Sequence, residues 1–163
     1  MSTVATEPAY HLERIDGREI QKPLPKNLHA FIQNFLIALF NRDVPKRYRV
    51  GPELNVLCGE DRLVPDVTVV ERSAKYEDGD LADPPQLAIE IMSPGQTIGQ
   101  LFDKAERLVR AGCPVCWVIW PERRQAWMYS ASRMMESTEI LTASLSDSSR
   151  IEVKLAEMWA ELD

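Results

Sequence analysis

An α/β or α+β domain, with a central mixed β-sheet flanked by helices, is predicted from three features of the sequence. Leu87-Ala88-Ile89-Glu90-Ile91-Met92 and Val115 to Trp120 are nearly continuous apolar runs, the pattern of strands covered on both faces. Between them Ile98, Leu101, Phe102, Ala105, Leu108 and Val109 recur at helical spacing, so a helix crosses over and at least one strand pair is parallel. Leu28, Phe31, Ile32, Phe35, Leu36 and Leu39 trace a further amphipathic helix upstream.

The elements follow in order. Asp16-Gly17 separates two short runs and favours a type I′ turn, which predicts an opening hairpin over 10–22. Asn27 is a candidate cap for a first helix over 27–41. Strands are expected at Tyr48 to Val50 and Leu54 to Leu57, broken by Gly51-Pro52, and at Asp66 to Val70; a polar loop then runs to Asp83-Pro84-Pro85. Gly112 is placed to stop the crossover helix in a C′ role. After the core of 48–129, peripheral strands at 140–143 and 151–153 and a short helix near 155–162 complete a C-terminal part, 136–163.

At 163 residues the chain fits one domain, since domains commonly run ~100–150 residues. Hydrophobic residues at 45% and charged residues at 27% exclude disordered and fibrous classes. The apolar run Phe35 to Phe40 is far short of the ~20 residues of a membrane-spanning helix, and Met1 to Tyr10 has no basic start followed by an apolar stretch. A cytoplasmic address with no membrane partner is therefore expected. Net charge is −6, from 25 acids against 19 Lys plus Arg, which argues against coating nucleic acid by charge alone. It suits acids gathered around a divalent cation, because the ion reverses the local field.

Glu90 is the most informative position, a carboxylate in the middle of an apolar strand. Burying it ionised costs on the order of several kcal/mol, so it is protonated, paired with Lys or Arg, or ligating a cation. Period-2 alternation puts Asp66 with Thr68 and Val70 on one face of its strand, and Glu90 with Ala88 and Met92 on one face of its own. If the strands pair, the two carboxylates converge within reach of a shared Mg²⁺, which takes hard oxygens and few protein ligands. Taken singly, Asp66 after Pro65 reads as a turn residue, and only its pairing with Glu90 turns the reading toward a ligand. Lys104 borders the apolar stripe of its helix, either as a solvated lysine or with its ammonium snorkelling toward the sheet edge. Glu13 lies in the opening hairpin.

Cys113-Pro114-Val115-Cys116 matches C-x-x-C, but follows a helix C-terminus rather than opening a helix, and no second cysteine pair completes a zinc site. Buried, apolar-like thiols are expected there, with a thiol oxidoreductase as the distant alternative. His29 reads as a packing or capping histidine. Lys46-Arg47-Tyr48-Arg49 and Arg123-Arg124 are the densest candidates for phosphate contacts, though the former run reads first as ordinary charges on a solvated edge strand.

Pro65-Asp66, Leu87 to Pro94, Asp103-Lys104, Arg110-Ala111-Gly112 and Trp117-Val118-Ile119 together resemble the Uma-two family of restriction endonucleases, a branch of the PD-(D/E)xK nuclease superfamily common in cyanobacteria. Leu12-Glu13-Arg14-Ile15-Asp16-Gly17 resembles that family's opening hairpin, and the likeness extends to about Tyr129. The resemblance implies a restriction-endonuclease-like fold and Mg²⁺-dependent hydrolysis of DNA phosphodiesters, with Mn²⁺ as a substitute. It implies that Asp66 and Glu90 hold the metal, that Glu13 assists from the hairpin, and that Lys104 orients or activates the attacking water. Double-stranded DNA is the implied partner, cut by a possible homodimer. Met92 stands where the superfamily usually carries its lysine, two residues after the acid, and Lys104 matches a lysine migrated to the following helix. Gln100 and Trp120 replace acids frequent in the family. Those departures define the alternative: an inactive relative serving as a DNA-binding or protein-interaction module.

Overall fold

A computed structural model describes residues 11–24 and 26–163. The expectations for Met1 to Tyr10, including the first residue of the hairpin, and for Pro25 lie outside the described residues. The chain forms β1 (Leu12–Ile15), β2 (Arg18–Gln21), α1 (Asn27–Asp43), β3 (Tyr48–Pro52), β4 (Val56–Cys58), β5 (Asp61–Leu63) and β6 (Val67–Glu71). It continues with β7 (Tyr76–Glu77), β8 (Asp80–Leu81), β9 (Leu87–Ile91), α2 (Ile98–Arg110) and β10 (Cys116–Trp120). Then come β11 (Gln125–Ser130), β12 (Arg133–Ser137), β13 (Ile140–Ser144), β14 (Arg150–Lys154) and α3 (Leu155–Ala160).

The central sheet has the order β12-β11-β10-β9-β6-β3, and among the described residues its one parallel pair is β9–β10, bridged by α2. The mixed sheet and the crossover helix are those expected. Alternation along the strands separates two cores. Val67, Val69, Leu87, Ile89, Ile91, Trp117 and Ile119 face α1 through Ile32, Leu36 and Phe40, whose ring meets Trp117 edge-on at 6.0 Å. On the opposite side Val70, Ala88, Cys116 and Val118 pack under Leu101, Ala105 and Leu108 of α2. Burial on both faces is why β9 and β10 carry almost no polar residues, and why Glu90 stands out.

Gly112 takes φ +114° beyond the end of α2. The Gly112 N–H donates to Val109 O and the Cys113 N–H to Leu108 O, the paired bonds of a Schellman stop. A Cβ at Gly112 would come 2.7 Å from the Pro84 ring.

Several expectations shift. The expected hairpin, β1 and β2, and the expected strand β4 belong to a second six-stranded sheet, β2-β1-β5-β4-β8-β7, whose other strands, β5, β7 and β8, occupy stretches that the sequence presents as turn and loop. Gly51-Pro52 ends β3 instead of breaking two strands, and the following strand starts at Val56 instead of Leu54. Lys26, not Asn27, is the N-cap of α1, without a side-chain bond, and the helix runs on to Asp43. Its buried line is His29, Ile32, Leu36 and Phe40, while Phe31 is exposed, because a polar residue occupies the first inward position.

Candidate active site

Asp66 immediately precedes β6 and extends its ladder. Its backbone N–H donates to Ile89 O at 2.9 Å, and its Oδ2 accepts the Ile91 N–H at 2.6 Å. These bonds fix the carboxylate against the end of β9, one residue from Glu90. Asp66, Glu90 and Glu13 are each only 1% exposed. Glu13 arrives from the second sheet on β1, which reaches β5 through the Arg14–Arg62 pairing. Its Oε2 accepts the Val64 N–H at 2.9 Å and its Oε1 accepts from Lys104 Nζ at 2.5 Å. Lys104 enters from α2, buried as well. The structure thus brings together Glu13, Asp66, Glu90 and Lys104, contributed by β1, the start of β6, β9 and α2.

Three further residues complete the cluster. Lys22, just after β2, places Nζ 2.6 Å from Glu53 Oε2, 2.6 Å from Val64 O and 2.7 Å from Asp66 Oδ1. His29 Nε2 lies 2.9 Å from the same Asp66 oxygen, so it faces the acids rather than only packing. Gln33 Nε2 donates to Glu53 Oε1 and to Asp66 O. Nothing in the sequence around Lys22 or Glu53 marks them: their side-chain partners are 20 or more residues away and are set by docking of the hairpin and α1.

Electrostatics separate the two central acids. Burial pushes the Asp66 carboxyl up, but the Lys22 ammonium and the contact from His29 outweigh it and hold Asp66 well below the usual carboxylate range. Burial pushes Glu90 up, Lys104 and Lys22 pull against it, and the charges of Asp66 and Glu13 add to the rise, leaving it at about 8. Lys104 is disfavoured by burial, yet Glu90 and Glu13 raise it above the ordinary lysine value. Glu90 Oε1 is buried with no hydrogen-bond partner. Asp66 Oδ1 also lacks a directed hydrogen bond, because its two neighbours are close in distance but not aligned.

A cleft of about 320 Å³ opens beside the cluster, with Glu13 and Lys104 in its wall together with Ile15, Ile20, Gln96 and Arg107. Arg107 fastens the hairpin to α2, contacting Asp16 and Asp61 at 2.9 Å and Asp103 at 2.8 Å. Gln100 is occupied locally. Its Oε1 accepts the Thr97 N–H while its N–H donates to Thr97 Oγ1, a capping box in which Gln and Glu are equivalent, so the exchange at this position leaves the helix start intact. Trp120 closes β10 with the Arg123 guanidinium 4.8 Å over its ring. Cys58, Cys113 and Cys116 are free and buried. Burial pushes the Cys58 and Cys113 thiols up to about 12 and Cys116 well above its ordinary value. Among the described residues no group of three or more His, Cys, Asp or Glu forms a ready metal cage, and no helix is long and apolar enough to cross a membrane.

A mixed sheet with helices on both faces, carrying buried acids and a lysine beside the end of its parallel pair, has the plan of a nuclease-like α+β protein. The Uma2 (Uma-two) family model, described as "Putative restriction endonuclease", matches residues 2–160, and the chain belongs to that family. Among solved structures, a "putative nuclease belonging to DUF820" from Anabaena variabilis superposes with a TM-score of 0.83 at 24% identity, over 97% of this chain and 94% of that one. That likeness shows that the two chains share one fold, the mixed α+β fold expected from the sequence, and the family match attaches the restriction-endonuclease description to it. No curated protein matches the chain.

Proposed function

We propose that the protein is a Mg²⁺-dependent endonuclease, with Mn²⁺ as a working substitute, that hydrolyses phosphodiester bonds of double-stranded DNA. The observation that carries this reading is the burial of Asp66, Glu90, Glu13 and Lys104 in one cluster beside an open cleft.

The donor set fits a hard divalent cation. Asp66 and Glu90 offer carboxylate oxygens, and the buried Glu90 Oε1 and Asp66 Oδ1 lack directed partners. These two residues would hold the ion. When bound, such a cation neutralises phosphate oxygens and lowers the pKa of an attacking water. The chain's own residues supply the rest. Ile91 N–H fixes the Asp66 carboxylate. Glu13 is a positioning residue, with one oxygen on Val64 N–H and the other on Lys104, and it holds the ammonium at the cleft wall. From there Lys104 stabilises negative charge that develops on a phosphate in the cleft, an electrostatic contribution of the kind that dominates such reactions. Site-specific cutting of both strands suits a homodimer, and a cytoplasmic location completes the reading.

Nicking of supercoiled plasmid tests it. The native chain is expected to cut with Mg²⁺ or Mn²⁺ and to stop with EDTA, while Asp66→Asn and Glu90→Gln leave the plasmid intact. Light scattering checks the dimer. Full activity in Glu90→Gln contradicts the assignment. Met92 in the place of a strand lysine favours a second reading, an inactive DNA-binding or protein-interaction module, which stands if the native chain leaves DNA uncut with both cations.

A further inference from the structure

Lys22 lies outside the four residues used above, and its contacts are unlike those of a packing lysine. An ammonium has three protons. Two make directed hydrogen bonds, to Glu53 Oε2 and Val64 O, both at 2.6 Å. The third contact, 2.7 Å to Asp66 Oδ1, is an ion pair by distance on an oxygen without a directed partner, which Lys22 shares with the His29 ring 2.9 Å away. Lys22 is 6% exposed, so water does little to screen it, whereas Glu53 is 21% exposed and stands on the solvent side. Gln33 bridges Glu53 Oε1 at 3.1 Å and Asp66 O at 2.9 Å, tying the two acids that Lys22 shares.

We propose that Lys22 is a resident counter-cation that competes with the divalent ion for Asp66 Oδ1 and withdraws onto Glu53 when the ion binds. This rests on the reading of Asp66 and Glu90 as the ion's ligands. Two cations in contact with one buried oxygen repel strongly in a poorly screened interior. The ammonium gives up only its undirected contact on leaving and keeps both hydrogen bonds, so the exchange is local and strands no unpaired charge. Lys22 and Glu53 are therefore positioning residues: Lys22 neutralises Asp66 until an ion displaces it, and Glu53 acts on the ion through Lys22.

Calorimetric titration of the full chain with MnCl₂, without DNA, tests this. Lys22→Met is expected to bind Mn²⁺ at least about tenfold more tightly than the native chain, because the competitor is gone. Glu53→Gln, which removes the withdrawal position, is expected to bind about threefold or more weakly, and the double variant to bind like Lys22→Met, since the effect of Glu53 passes through Lys22. Lys104→Met removes an equal charge from the cluster without freeing Asp66 and is expected to tighten binding less. Unchanged or weaker binding by Lys22→Met overturns the proposal, as does an equal gain from Lys104→Met or a Glu53→Gln loss that persists in the double variant. If Lys22→Met does not fold, the Lys22 ¹⁵Nζ resonance of the native chain is followed instead; it tracks Mg²⁺ saturation under the proposal, and an unmoved resonance overturns it. Mn²⁺ binding lost in Asp66→Asn but unchanged in Lys22→Met removes only the role of Lys22. Absence of Mn²⁺ binding in every variant removes the ion site itself.

Discussion

At one end of the parallel pair β9–β10 stand Asp66 and Glu90, with Glu13 and Lys104 against them; toward the other lie Cys113 and Cys116, in the same buried cluster as Cys58. Both groups are buried, and burial acts on both by disfavouring the charged form. The outcomes differ because of neighbours. The cysteines sit among apolar side chains, and the charges that reach Cys58 and Cys116 are carboxylates, which add to the effect of burial and favour the protonated thiol. The acids have two lysines among them, so Asp66 ionises while Glu90 rises, and two carboxylates end in opposite states a strand apart. A compact sequence motif is thus idle, while residues scattered over more than 90 positions meet.

The strongest way to break this contrast is by substitution at each end. Asp66→Asn or Glu90→Gln is expected to reduce plasmid cleavage on the order of 10²–10³-fold, the scale of losing a principal electrostatic group, whereas Cys113→Ser retains activity. A loss in the cysteine variant with none in Glu90→Gln would reverse the assignment. Lys104→Ala is expected to cost on the order of 10²-fold in kcat, measured in the same assay at saturating Mn²⁺.

The pH dependence sharpens the acidic end. Folded Glu90 keeps its proton to about 8, while an unfolded glutamate releases it near 4.5. Between these values the folded state binds more protons, so its stability falls as pH rises through that window. Glu90→Gln cannot ionise. Its melting temperature relative to the native chain is therefore expected to climb from pH 5 to pH 8, with a difference on the order of a few kcal/mol at the upper end. A constant difference would contradict the raised value.

At the cysteine end, Gly112→Ala is expected to destabilise by about 1–3 kcal/mol, since φ +114° and the nearby Pro84 ring oppose a side chain, with Mn²⁺ affinity unchanged. Calorimetric unfolding and Mn²⁺ titration check the two halves. The smallest effect is chemical: in the folded state all three thiols are expected to resist a disulfide reagent at pH 8 and to react on unfolding, because burial keeps them protonated.

Legibility in the sequence followed locality. Apolar runs interrupted by one acid exposed Glu90, and helical spacing placed α2 and the parallel pair, because those signals lie within one element. Asp78-Gly79 offers the same turn signature as Asp16-Gly17, with positive φ at both residues, yet β7 and β8 are two residues each and show no alternation. Lys22, Glu53 and Gln33 were not legible: no spacing marks them, and their chemistry arises only when the hairpin and α1 close over Asp66. His29 was visible but its direction was not, since the buried line of α1 begins with it rather than with Leu28 or Phe31.

Anomalous diffraction from crystals soaked in MnCl₂ tests the central claim most directly. The account predicts a single strong peak within ligand distance of both Asp66 and Glu90, absent from Asp66→Asn crystals. Manganese seated elsewhere, with Glu90 still enclosed and unliganded, would contradict it.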